Sequence, residues 1–164
     1  MGKYGRLEAY DISNIQGTLA TGSMVVFKDN RPQKSQYRRF KIKTIKGAND
    51  VAMLQEIIWR RFKHKEWSQP DLILIDGGRA QLNAARKLLG ANPTLKNNKC
   101  GVKIPLVALA KKEEELFTVF SNKSLRLEKL PADFSNILLY LRDEAHRFGI
   151  SYHKKLRRKA LRNY

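Results

Sequence analysis

With 164 residues, 42% of them hydrophobic, the chain suits one domain with a sizeable core, and its single cysteine, Cys100, excludes an intrachain disulfide and a cysteine zinc site. Lys and Arg number 33 against 15 Asp and Glu, a formal charge of +18 spread along the whole chain; this points to a polyanion, and first to nucleic acid, because neutralising phosphates releases condensed counterions. No apolar run approaches the ~18 residues of a spanning helix, and neither a cleavable leader, a myristoylation pattern nor a basic amphipathic helix for a membrane surface is evident, so a soluble, cytoplasmic protein without a membrane partner is expected.

RLEAYDIS (6–13) alternates and reads as a strand, GSMVVFKDN (22–30) as a second, and YRRFKIKT (37–44) as a third, with a turn-like link between the last two. In GANDVAMLQEIIWRRFKH (47–64) the period changes: Val51, Leu54, Ile58 and Phe62 share one helical face, with Asn49 or Asp50 as N-cap. DLILID (71–76) is nearly continuously apolar, as a strand covered on both faces should be, and RAQLNAARKLLG (79–90) follows as a helix closed by Gly90. A loop (91–101), a strand IPLVALAKK (104–112) and a small hairpin from LFTVF and SLRLEKL come next. After Pro131, Ile137, Leu138, Leu141, Ala145 and Phe148 mark the apolar stripe of a helix that Gly149 interrupts or ends, leaving a basic tail (about 150–164) prone to fray. This order implies an α/β domain spanning 1–164, a mixed β-sheet flanked by α-helices, with ligands expected at the carboxyl ends of strands.

Asp76 ends the most apolar strand and stands before Gly77 and Gly78, which let the chain reverse into the next helix. Capping of that helix is an equally good reason for an aspartate there. The Gly-Gly turn has neither the GxGxxG spacing nor the lysine of a phosphate-binding loop. Asp11 interrupts the alternation of the first strand, and a lone buried carboxylate is costly unless a cation or donors compensate it. Two carboxylates on neighbouring central strands repel one another, so a divalent cation between them is the simplest account of both. A hard cation such as Mg²⁺ takes oxygen ligands and can bridge to a phosphate, which couples the acidic pair to the basic surface. His146 lies beside the apolar stripe of the last helix, one turn after Arg142; a histidine in that setting is more often structural than functional.

The segments YDISNIQG, YRRFKIK, LILIDGG, ALAKKEEE and LRDEAHRFGISYHKKLRRKA, in this order and spacing, closely resemble the C-terminal endonuclease domain of UvrC, the incision subunit of bacterial nucleotide excision repair. The resemblance implies an RNase H-like fold and a Mg²⁺- or Mn²⁺-dependent endonuclease that hydrolyses DNA 5′ to a lesion by in-line attack of an activated water. It places the catalytic, metal-holding constellation on Asp11, Asp76 and His146, with Asp50 as a secondary site. Arg38, Lys111, Lys112, Arg142, Arg147, Lys154 and Lys155 are candidates for holding phosphates, against the alternative of an ordinary solvated basic face. DNA is the expected partner, with damage-recognition and helicase subunits in the full-length context. Full-length members add a GIY-YIG nuclease domain, a helicase-binding segment and a helix-hairpin-helix module, so an excised domain or a reduced member is expected, with weak activity on its own. Two other readings stay open: a non-catalytic basic DNA-binding module of the same fold, and an RNA-directed nuclease.

Overall fold

The centre of the protein is a mixed sheet whose middle strands are among the most apolar stretches of the sequence. The structure, a computed structural model, describes residues 4–13, 20–91, 104–111 and 114–162. Among these, the strands are β1 (Arg6–Ser13), β2 (Thr21–Lys28), β3 (Arg31–Pro32), β4 (Arg38–Lys41), β5 (Leu72–Asp76), β6 (Leu106–Ala110), β7 (Glu115–Thr118) and β8 (Leu125–Arg126). They run in the order β3-β2-β1-β5-β6-β7-β8, with β4 also paired to β2. β1, β5 and β6 are mutually parallel, and antiparallel strands border them on both sides. The β2–β3 hairpin turns on Asp29 and Asn30, both at positive φ (52° and 65°), a pairing suited to the two-residue turn that matches strand twist.

Among the described residues, three α-helices cover the sheet: α1 (Asp50–Lys63), α2 (Arg79–Ala91) and α3 (Ala132–Leu161). α1 packs on α2 and on β1 and β2, and its close approach depends on Gly22, where a Cβ would lie 2.6 Å from the Ile57 side chain. α3 packs on β1, β2 and β5 from the opposite face, as the side chains below establish. Ile73, Leu74 and Ile75 of β5 are all fully buried, which is the reason that strand reads as a continuous apolar run rather than an alternating one.

Three expectations from the sequence are corrected. Gly149 does not end the last helix: α3 continues to Leu161, so most of the basic tail is helical. Gly149 serves packing instead, because a Cβ there would stand 3.3 Å from both Asp11 Oδ2 and Ser23 Oγ. Gly90 does not close α2, which runs on to Ala91. β4 stops at Lys41, short of the expected Thr44, because the Lys43 and Thr44 backbone N–H groups donate to the Glu56 carboxylate rather than to a strand. Most of the expected 91–101 loop lies outside the described residues.

Candidate active site

Side-chain alternation and strand register determine what the carboxyl edge of the parallel strands displays. β1 and β5 are paired Ala9 to Leu74 and Tyr10 to Ile75, and one further step sets Asp11 beside Asp76 on the same face. β6 pairs Leu109 with Asp76, and two residues on, the same face carries Lys111. Three adjacent strands therefore each bring one charged side chain to this edge, on the face that α3 covers. α3 brings His146 down onto this row, anchored by Gly149 and by the Ser23 hydroxyl, which donates to the Ala145 carbonyl at 3.0 Å.

The result is a convergent set. One potential ligand atom from each of Asp11, Asp76 and His146 lies within 4.8 Å of the other two. His146 Nδ1 is 3.3 Å from Asp11 Oδ2. Lys111 Nζ lies 3.4 Å from His146 Nδ1 and 3.3 Å from Asp76 Oδ2. Asp11, Asp50, Asp76, Gly77, Gly78 and Lys111 line a cleft of about 400 Å³.

Two details separate these acids from ordinary structural carboxylates. Asp76 Oδ2 is buried and accepts no hydrogen bond; its contact with Lys111 is one of charge without hydrogen-bond alignment. Burial, then the charge of Asp76, pushes the Asp11 carboxyl from 3.8 up to about 6, against opposing attraction from His146 and Lys111. Glu8, three residues earlier on β1, shows the structural solution. It is fully buried on the α1 face, where Arg61 Nε and Nη2 and Arg6 Nε and Nη2 all donate to it and the Tyr10 hydroxyl donates at 2.6 Å. No arginine plays that part for Asp11 or Asp76 among the described contacts. Two carboxylates and an imidazole, one oxygen lacking a donor, form a donor set that fits a small divalent cation.

The capping explanations for the aspartates do not hold. At the start of α2 the Gly78 N–H is taken by the Gln81 side chain at 3.1 Å, and Asp76 Oδ2 bonds no backbone N–H. At α1 the cap is Asn49, whose side chain accepts from the Ala52 N–H at 3.0 Å. Asp50, the first residue of α1, is thereby left exposed on the cleft wall.

A model of the UvrC RNAse H endonuclease domain family matches residues 2–150. The chain belongs to that family. UvrABC system protein C of Moorella thermoacetica is 47% identical over 161 residues, covering 94% of this chain and 25% of the relative. The protein of the same name from Dehalococcoides mccartyi is 45% identical over 165 residues, covering 94% and 26%. This UvrC-family chain thus spans about a quarter of the length of the curated relatives it matches. Among solved structures, Ciona intestinalis Endonuclease V, in complex with a 24mer DNA containing an inosine followed by a ribo-adenosine, is similar at TM-score 0.45 and 18% identity, over 77% of this chain and 53% of that one. The mixed sheet flanked by helices that the sequence implied is the observed architecture, and the family is an RNase H-type endonuclease domain.

Around this UvrC-type site the predicted phosphate-holding residues divide. Arg142 and Arg147 lie on α3 beside His146, but Arg147 makes two 2.7 Å hydrogen bonds to Glu144. Arg142 bonds Asp143 through Nε and Nη2, while its Nη1 is buried without a partner. Lys154 and Lys155 are exposed on the later turns of α3. Lys112 lies outside the described residues. Arg38 is not brought to the site: it donates to the Ser35 and Tyr37 carbonyls and lies 4.9 Å over Trp67, on the α1 face. Its neighbour Arg39, which sequence reasoning passed over, faces α3, 4.1 Å over Phe148. Strand alternation is the signal that distinguishes them, once the face that α3 covers is known. Among the described residues, no helix is long and apolar enough to cross a membrane.

Proposed function

We propose that this chain is a Mg²⁺- or Mn²⁺-dependent DNA endonuclease domain, one unit over residues 1–164, which hydrolyses a phosphodiester 5′ to a lesion in nucleotide excision repair. In its full-length, cytoplasmic setting it acts with damage-recognition and helicase subunits. The observation that carries this reading is the convergence of Asp11, Asp76 and His146 within 4.8 Å, with Asp76 Oδ2 buried and lacking any donor. The DNA substrate is supported by the +18 charge and by relatives named for the UvrABC system.

Asp11 and Asp76 would hold the cation, with His146 completing the set or accepting a proton during attack. When bound, a divalent ion supplies Lewis-acid polarisation of a phosphoryl oxygen and a more acidic attacking water. The protein's own contributions are positional. β1 and β5 fix both carboxylates on the sheet, Gly77 and Gly78 leave the cleft wall without side chains, and the α3 cations draw the backbone of the nucleic acid toward the acids. Asp50, which also lines the cleft, is the secondary acidic site.

The test is nicking of lesion-containing duplex DNA by Asp11→Asn and Asp76→Asn proteins beside a DNA-binding assay. Both variants lose Mg²⁺- and Mn²⁺-dependent nicking and keep or improve binding, since removing negative charge beside phosphate cannot weaken attraction. Undiminished nicking by either variant refutes the assignment. Substituting an RNA strand distinguishes DNA-directed from RNA-directed cleavage.

A further inference from the structure

Of the three side chains that adjacent strands deliver to the cleft, two are the acids; the third is Lys111. Its ammonium touches two of the three groups that form the ligand set, at 3.3 Å from Asp76 Oδ2 and 3.4 Å from His146 Nδ1. It is also among the attractions that oppose the rise in the Asp11 carboxyl's proton affinity. Lys111 therefore sits where a shared cation would sit, and serves the same two carboxylates.

We propose that Lys111 is a tethered competitor for the cation position: its ammonium screens the Asp11–Asp76 repulsion, and a divalent ion must displace it to engage the same ligands. This inference rests on the reading of the site as a cation site and deepens it. Two features suit the ammonium to leaving. The Lys111 side chain is 57% exposed whereas that of Asp76 is 5% exposed, so only the charged head enters the cleft and its departure uncovers no core. The contact also lacks hydrogen-bond alignment, because Asp76 Oδ2 has no hydrogen-bond partner. Arg61 is built the opposite way: fully buried and bonded to Glu8 through both Nε and Nη2, it is a permanent counter-ion.

Displacement also sets where the ammonium goes. An ammonium and a divalent ion sharing one carboxylate oxygen repel strongly at ~3–4 Å, so the side chain turns to the open side of the cleft, where the phosphate that bridges to the ion must enter. Lys111 thus becomes a contact for the scissile phosphate only after the ion is seated.

The experiment is a Mn²⁺ titration of the DNA-free protein, followed by electron paramagnetic resonance of free Mn²⁺, with wild type, Lys111→Met and Asp76→Asn. Removing the competing charge makes Lys111→Met bind Mn²⁺ about fivefold more tightly, a modest gain because the ammonium is largely exposed. Its melting temperature rises more on adding Mn²⁺ than that of wild type. At saturating Mn²⁺ its nicking rate falls about tenfold, as expected for a lost charged contact to phosphate. Wild-type or weaker Mn²⁺ affinity in Lys111→Met overturns the displacement, and an undiminished nicking rate overturns the later phosphate contact. Wild-type Mn²⁺ affinity in Asp76→Asn instead overturns the cation site itself, so the two failures are distinct.

Discussion

Gly149 of α3 and Asp11 of β1 meet where a side chain would not fit freely: a Cβ on Gly149 would lie 3.3 Å from Asp11 Oδ2 and 3.3 Å from Ser23 Oγ. The glycine costs helix propensity in the middle of a 30-residue helix, and the close approach it permits seats His146, one turn earlier, over the acids. Gly149→Ala should therefore separate stability from activity. The alanine gains roughly 1 kcal/mol of helix propensity, which offsets the tight contact, so unfolding free energy changes little. Displacing the Asp11 carboxylate by tenths of an ångström lowers nicking about tenfold. Denaturant melts and nicking rates on the same preparation check this; full activity would show that the contact does not govern the site.

Asp11 gives a pH dependence of defined sign. Burial, and secondarily Asp76, raises its carboxyl from 3.8 to about 6 in the folded protein. The folded state then binds more protons than the unfolded state between these values, so this group's contribution to stability is full below about pH 4 and is lost as pH rises through about 6. The loss is on the order of 3 kcal/mol at neutral pH. With chelator present, Asp11→Asn should be more stable than wild type by that order at about pH 7.5 and equal to it near pH 4. Unfolding curves at the two pH values decide it, and equal stability at both would mean the carboxylate is compensated.

The sequence makes the elements legible where one force dominates. β5 is apolar up to Asp76 because both its faces are covered, and α1 announces itself by its stripe and by Asn49. Asp11 stands out because it interrupts the alternation of its strand, and Asp76 because it ends an apolar run. What stays hidden depends on which face of a strand meets which helix. The run Arg38-Arg39 looks like two equivalent cations, yet one lies over Trp67 and the other over Phe148. Glu8 and Asp11 are both acids of one strand, but the α1 face supplies Glu8 with Arg61, 53 residues away in sequence. Gly149 reads locally as a helix stop; only the position of β1 beneath it shows that it is a contact point.

The Glu8 network should behave as structure alone. Arg61 is fully buried and donates to both Glu8 oxygens and to the Ser68 carbonyl. Arg61→Met leaves Glu8 with Arg6 and Tyr10 and costs about 3 kcal/mol, the range seen when one partner of a buried pair is removed. Adding Glu8→Gln to that variant recovers part of the loss, a non-additivity that a double-mutant cycle measures. Nicking per folded molecule stays at the wild-type rate, in contrast to Asp11→Asn. A cycle with no coupling energy would remove the claim that the two charges compensate one another.

Arg39 connects the sheet to the basic end of α3. Its guanidinium stacks 4.1 Å over Phe148 and 5.0 Å over Tyr152, and Nη2 donates to the Ser151 hydroxyl at 3.0 Å. These contacts straddle Gly149, where the helix has its lowest intrinsic propensity, and hold the turns that carry Lys154 and Lys155 in line with the site. Arg39→Ala removes about 1 kcal/mol of stacking, concentrated in those turns. Amide exchange should therefore accelerate beyond residue 149 while the sheet amides keep their protection. DNA affinity should fall about threefold, more than the loss of one exposed charge explains, because lysines no longer aligned by the helix contribute less to phosphate neutralisation. Arg39→Lys is the discriminating control, since it keeps the charge but not the planar stack. If Arg39→Lys matches wild type in both exchange and affinity, Arg39 acts through charge alone and the later turns hold themselves in place.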